Sequence, residues 1–214
     1  MTKIAVSILT IQGRLIDIIK KLEQTDADYF HIDIMDGKFV PNRSFTFGEI
    51  KKLSKYTTKK LDVHLMVDNP IKYIEDYATL DVEYITIHYE INKDLTSIIN
   101  KIKDCGIRCG LSIKPKTSIH KIVPYLAKID LILLMSVNPG RGGQEFLSST
   151  VDRIKALKEI ITKHGYNTVI EVDGGINDET AKLCIEAGAD ILVSGSYVLS
   201  DNDYQTKINQ LKNN

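Results

Sequence analysis

Eight short runs rich in β-branched and apolar residues recur along the 214-residue chain, and amphipathic segments separate most of them. The strand-like runs span 4–9, 29–35, 61–66, 84–88, 108–113, 131–137, 168–173 and 191–194. The helix-like segments span 14–24, 70–79, 95–104, 150–164, 178–187 and 203–212. Consecutive parallel strands need a crossover, usually a helix. Eight such units at a spacing of roughly 25 residues predict a closed (β/α)₈ TIM barrel of the phosphate-binding type. An open doubly wound sheet would carry a Gly-rich phosphate turn after its first strand. Here that strand runs into SILT with no glycine cluster. Glycines in DCG, KHG and EAG punctuate the approaches to strands five, seven and eight, as helix C-termini do. With no linker, low-complexity tract or short repeat, one domain over 1–214 is expected.

Polar side chains stand where these apolar runs end. They are His31 and Asp33 in YFHIDIMDG, His64 in LDVHLM and Asp173 in VIEVDGG. Residues two apart on a strand share a face, so His31 and Asp33 point the same way, as do Glu171 and Asp173. Barrel enzymes do their chemistry at the carboxyl ends of the strands. Two imidazoles and two carboxylates from three strands make a complete ligand set for one divalent ion. Such mixed ligation suits Zn²⁺ or Fe²⁺, with Mn²⁺ and Co²⁺ also accommodated. Four unrelated buried polar groups would each need a partner to offset desolvation, whereas one ion satisfies all four. The same set leaves Asp33 and Asp173 as a proton donor and acceptor. Glu171 is expected one layer below, beside a basic group, and Asp36 is expected to begin the following loop. His88 ends a strand at the pocket, and His120 and His164 fall in surface sequence.

Glycines follow the last two strands, at Gly174-Gly175 and at Gly195-Ser196, where barrels of this kind cradle phosphate on backbone N–H groups. Gly140, Gly142 and Gly143 in NPGRGG add a third such segment. Met35, Met66 and Met135 each fall at or near a strand end and could form an apolar collar around a reactive carbon. Lys plus Arg equal Asp plus Glu at 28 each, which leaves no basic field for nucleic acid or anionic membrane. Three scattered cysteines read as reduced packing residues. With no secretory-type leader and no membrane-length apolar run, a soluble cytoplasmic protein is expected.

In this order, SIL, HIDIMDGKFVPN, DVHLMV, GLSIKPKT, MSVNPGRGGQEF, EVDGGI and VSGS closely resemble the ribulose-phosphate 3-epimerase family, almost end to end. The resemblance implies an enzyme that interconverts D-ribulose 5-phosphate and D-xylulose 5-phosphate through an enediolate. A sister group acting on a hexulose 6-phosphate, such as D-allulose 6-phosphate, shares most of these motifs. By residue-to-residue match it implies that His31, Asp33, His64 and Asp173 hold one divalent ion per subunit. Asp33 and Asp173 would be the acid/base pair, with no organic cofactor. Ser7 and His64 would touch substrate, and the three methionines would cap the reacting centre. The stretch from Gly140 through Arg141 and Gly142 to Gly143, with Gly174, Gly175, Gly195 and Ser196, would hold the sugar and its phosphate. A homo-oligomer is also implied. Arg141 stands where relatives usually carry Phe, no Pro precedes Ser7, and TIQGRL replaces a SADF-like stretch.

Two other readings compete. Related barrels that decarboxylate use an Asp-x-Lys-x-x-Asp cluster, and Asp33-Ile34-Met35-Asp36 contains no lysine. A barrel kept only as a binding protein would have no need of both acids and a full ligand set.

Overall fold

The computed structural model describes residues 2–11 and 13–213. Gln12, within TIQGRL, lies outside the described residues. Eight parallel strands, β1 (Lys3–Ser7), β2 (Tyr29–Met35), β3 (Leu61–Met66), β4 (Val82–His88), β5 (Arg108–Ile113), β6 (Leu131–Met135), β7 (Val169–Asp173) and β8 (Ile191–Ser194), run in sequence order around a closed barrel. β1 pairs with β8, so the ring closes and the open-sheet alternative is excluded. Among the described residues seven helices surround it: α1 (Leu15–Glu23), α2 (Phe47–Leu53), α3 (Ile71–Tyr77), α4 (Leu95–Asp104), α5 (Ser149–His164), α6 (Asp178–Ala187) and α7 (Tyr204–Lys212).

Strand alternation sorts the side chains. Phe30, Ile32 and Ile34 on β2 and Leu61, Val63 and Leu65 on β3 are buried in the apolar cluster that also takes in Ile19 and Leu22 of α1. This layer between strands and helices is the main core. On the alternate face of β2 and β3, His31, Asp33, Asp62 and His64 are polar and also buried. Three aspartates reinforce the amino-terminal end of the barrel. Asp28, Asp130 and Asp190 each immediately precede a strand, and each accepts a backbone N–H from the preceding strand: Ile4 at 2.9 Å, Cys109 at 2.9 Å and Ile170 at 2.8 Å. Burial pushes the Cys109 and Cys184 thiols up to about 12, in keeping with packing residues.

Several boundaries differ from the sequence reading. β6 stops at Met135, not 137, because Ser136 turns the chain: its hydroxyl donates to the carbonyls of Asp173 and Gly174. β1 ends at Ser7, not at 9. α2 was not expected, although Thr46 and Glu49 form a capping box at its start. Between β5 and β6 the crossover is made of 3₁₀ turns at Ile119–Lys121 and Val123–Lys128. The glycines of DCG, KHG and EAG do end helices, with φ of 77°, 64° and 107°. No helix among the described residues is long and apolar enough to cross a membrane.

Asp190→Ala removes the acceptor for the Ile170 N–H, far from the strands' carboxyl ends. Urea denaturation should show a loss of about 1–3 kcal/mol, with kcat essentially unchanged.

Candidate active site

The register between strands stacks the polar residues in two layers. Asp33 lies opposite His64, and His31 lies opposite Asp62 one step lower. On β7, Asp173 and Glu171 repeat the same two-residue spacing. One ligand atom from each of His31, Asp33, His64 and Asp173 lies within 4.8 Å of the others. The four residues singled out in the sequence are therefore brought together. His31, Asp62, His64, His88 and Glu171 are fully buried, while Asp173 keeps some surface open.

Asp33 is the focus. Its Oδ2 accepts from the Ser7 hydroxyl at 3.1 Å. Its Oδ1 faces His64 Nδ1 at 3.1 Å and His31 Nε2 at 3.4 Å. Behind each imidazole stands a further partner. His31 Nδ1 lies 2.5 Å from Asp62 Oδ2. His64 Nε2 lies 2.9 Å from His88 Nε2, and His88 Nδ1 lies 3.1 Å from Glu90 Oε2.

Protons in this network can be counted. An ionised carboxylate only accepts, and a neutral imidazole carries one N–H. The Asp33–His31–Asp62 arm has two contacts and one proton. The Asp33–His64–His88–Glu90 arm has three contacts and two protons. Each arm is short by one positive charge, and both arms meet at Asp33. His31 Nε2 also lacks a hydrogen-bond partner despite complete burial. A cation held by His31, Asp33, His64 and Asp173 repairs both deficits, so the residues fit a divalent metal.

The acid–base states follow from the same packing. Burial opposes charge on His31, but Asp62 and Asp33 outweigh it and hold its pKa well above the ordinary value. Burial would raise Asp33, yet the His31 charge and the close approach of both imidazoles keep it well below the usual carboxylate range. Burial and then the Asp33 charge push Asp173 up to about 6. Burial, only partly offset by Glu90, holds His88 down to about 4, so it is neutral. Glu90 is lowered to about 2 because hydrogen bonds from His88, Thr117 and the Lys114 N–H overcome its desolvation. Glu171 differs from expectation: its buried carboxyl faces the Asp62 carboxylate as well as His31. Burial and that negative neighbour raise its pKa well above the usual range. It is a neutral acid next to Asp62, not a carboxylate in an ion pair.

Above this floor opens a cavity of about 580 Å³. Ser7, Asp33, Asp173 and all three strand-end methionines line it, together with Arg141 and the glycines at 140, 142, 143, 174, 175 and 195 and Ser196. His31 and His64 sit behind Asp33, outside the lining. His88 is likewise behind the wall rather than on it. Gly175 has a φ of 65°, and a Cβ there would come within 2.5 Å of the Phe146 backbone, so the loop after β7 closes tightly on the loop after β6. Asp36 anchors the β2 loop, accepting from the N–H groups of Lys38, Phe39 and Asp68. His120 and His164 are exposed. Sequence reasoning passed over Asp62 and Glu90, although Asp62 shares a strand face with His64 and Glu90 follows the buried His88 by two residues.

Residues 3–199 match the model of the Ribulose-phosphate 3 epimerase family. The chain belongs to that family. It is 41% identical over 213 residues to the ribulose-phosphate 3-epimerase of Methanocaldococcus jannaschii, covering 99% of this chain and 90% of that one. It is 40% identical to the ribulose-phosphate 3-epimerase of Bacillus subtilis, covering 99% of both. The chain is thus an enzyme, an isomerase acting on carbohydrates. Among solved structures, KGPDC from Streptococcus mutans superposes with a TM-score of 0.73 at 11% identity, covering 100% of this chain and 96% of that one. At that identity the likeness concerns the barrel alone.

Metal entry should displace the extra proton of His31. Calorimetric Zn²⁺ titration in buffers of different ionisation enthalpy should show about one proton or more released per ion. Because His31 holds that proton well above its ordinary pKa, apparent affinity should rise with pH through neutrality. A pH-independent affinity contradicts the assignment.

Proposed function

We propose that this epimerase interconverts D-ribulose 5-phosphate and D-xylulose 5-phosphate by proton transfer at C3, with Asp33 and Asp173 as the acid/base pair. One observation carries the reading: the Asp33 and Asp173 carboxyls line one cavity, Asp33 held well below the usual carboxylate range and Asp173 pushed up to about 6. They arrive from β2 and β7, with β8 and β1 between them around the ring.

A carbon next to a ketone inverts when a proton leaves one face and another arrives on the opposite face. Asp33, kept ionised by the imidazoles, takes the C3 proton. The electron pair of the broken C–H bond moves into an enediolate. Asp173, whose pKa raised to about 6 brings the protonated form within reach, delivers its proton to the other face of C3. In the reverse direction the two exchange roles. The Ser7 hydroxyl holds Asp33 Oδ2 in place. Met35, Met66 and Met135, all at least 95% buried, shield the reacting carbon from water.

His31, His64, Asp33 and Asp173 would hold a divalent ion, Zn²⁺ or Fe²⁺ before Mn²⁺ or Co²⁺. When bound, it supplies Lewis-acid stabilisation of enediolate oxygens. With an ion shared between them, the two carboxyls titrate as a coupled pair. The backbone of Gly174-Gly175 and Gly195-Ser196 would receive the phosphate, beside the start of α6. Arg141 is the only Lys or Arg on the lining among the described residues, so it adds a screened attraction for the dianion.

Solvent deuterium should appear at C3 of ribulose 5-phosphate, and faster than at C3 of allulose 6-phosphate. Preferential exchange into the hexulose would overturn the substrate assignment, and carbon–carbon cleavage products would overturn the reaction class. Asp33→Asn and Asp173→Asn should each lose about two orders of magnitude or more in kcat. Near-normal turnover in either variant contradicts the acid/base pair.

A further inference from the structure

Glu90 lies outside the ligand set and outside the cavity lining, yet its bonds are specific. Oε1 accepts from the Lys114 backbone N–H at 2.8 Å and from the Thr117 hydroxyl at 2.5 Å. Oε2 faces His88 Nδ1 at 3.1 Å. Arg153 of α5 braces the same loop by donating to the carbonyls of Lys114 and Thr117 at 3.1 Å each. The His88 ring packs against Phe39 with centroids 4.6 Å apart, and Lys114 Nζ lies 4.2 Å from the centroid of Phe39. The carboxylate is therefore held by the loop after β5, and the imidazole between it and His64 is held by packing.

We infer that Glu90 acts through His88 as a positioning residue that sets the tautomer of His64, leaving the Nδ1 lone pair free for a metal ion. This rests on the metal reading proposed above. The direction of each bond follows from Glu90. A carboxylate accepts only, so His88 carries its proton on Nδ1 and presents a lone pair at Nε2. That lone pair, 2.9 Å from His64 Nε2, requires the proton of His64 on Nε2. His64 Nδ1 then has no proton and faces the Asp33 carboxylate. Asp62 performs the same task for His31 through one direct contact. The two ligands are thus oriented by separate acids, one internal to the barrel and one at its rim.

Glu90→Gln reverses the order without changing the shape. The amide oxygen must keep the Lys114 N–H, because that donor has no freedom to turn. The amide NH₂ therefore faces His88 Nδ1. His88 moves its proton to Nε2, and His64 takes its own on Nδ1, the atom required for the ion. Thr117→Val removes one hydrogen bond from the same carboxylate but leaves the proton order intact.

The test combines competition of each protein with a chromophoric chelator for Zn²⁺ and ¹⁵N detection of imidazole protonation in Zn²⁺-loaded wild type. Wild type should show His64 protonated on Nε2. Glu90→Gln should weaken Zn²⁺ binding about 10–100-fold, whereas Thr117→Val, which leaves the proton order intact, should change it less than about threefold. His64 found protonated on Nδ1 in loaded wild type overturns the inference, and that result needs no variant to fold. Equal affinity of Glu90→Gln and wild type also overturns it. A Thr117→Val loss matching that of Glu90→Gln does so too, because loop anchoring would then explain the effect. A wild type that binds no Zn²⁺ sinks the metal reading and the relay with it. Binding by wild type with Glu90→Gln its equal sinks the relay alone.

Discussion

Two imidazoles turned toward one ionised carboxylate, with acceptors behind both rings, make a charge deficit buried in a barrel. Protein interiors tolerate such an arrangement only when something positive fills it. In the metal-free chain the proton on His31 supplies part of that charge, held there by Asp33 and Asp62. A divalent ion supplies all of it, and from both arms at once. Much else in the structure serves this point. The β2–β3 register stacks Asp33 with His64 and His31 with Asp62. Ser7 fixes the outer oxygen of Asp33, and Glu171 stays neutral below, so that no further negative charge enters the layer.

The same focus separates the two acids that the proposed chemistry needs. Identical functional groups on neighbouring walls of one cavity would share similar pKa values if solvated alike. Here Asp33 sits among donors and a cationic partner, whereas Asp173 keeps some surface open and faces the charge of Asp33. In the proposed reaction, environment and not residue type would assign one to accept and the other to donate. The methionines and the glycine-rich loops enclose the cavity above that floor, and the loop after β7 closes tightly at Gly175 and Phe146.

Much of this was legible in the chain because it is carried by short-range spacing. Period-two patterns on β2 and β7 put His31 with Asp33 and Glu171 with Asp173 on common faces. The eightfold alternation left the barrel as the economical closure. What escaped notice depends on distances between strands. The capping box at Thr46 and Glu49 was written in the sequence but overlooked, since α2 is only seven residues long. The relay through His88 and Glu90 was hidden for a different reason. Its meaning requires knowing that the loop after β5 brings the Lys114 N–H to the same carboxylate. Glu171 does lie beside a basic group, His31, but burial and the Asp62 carboxylate, neither legible in the sequence, raise its pKa well above the usual range.

Anomalous diffraction from crystals of the Zn²⁺-loaded enzyme, collected across the zinc edge, tests the central claim most directly. The account predicts one peak per subunit, about 2.0–2.2 Å from His31 Nε2, His64 Nδ1 and an oxygen each of Asp33 and Asp173. A peak in the lower layer between Asp62 and Glu171, or none at the strands' carboxyl ends, would contradict it.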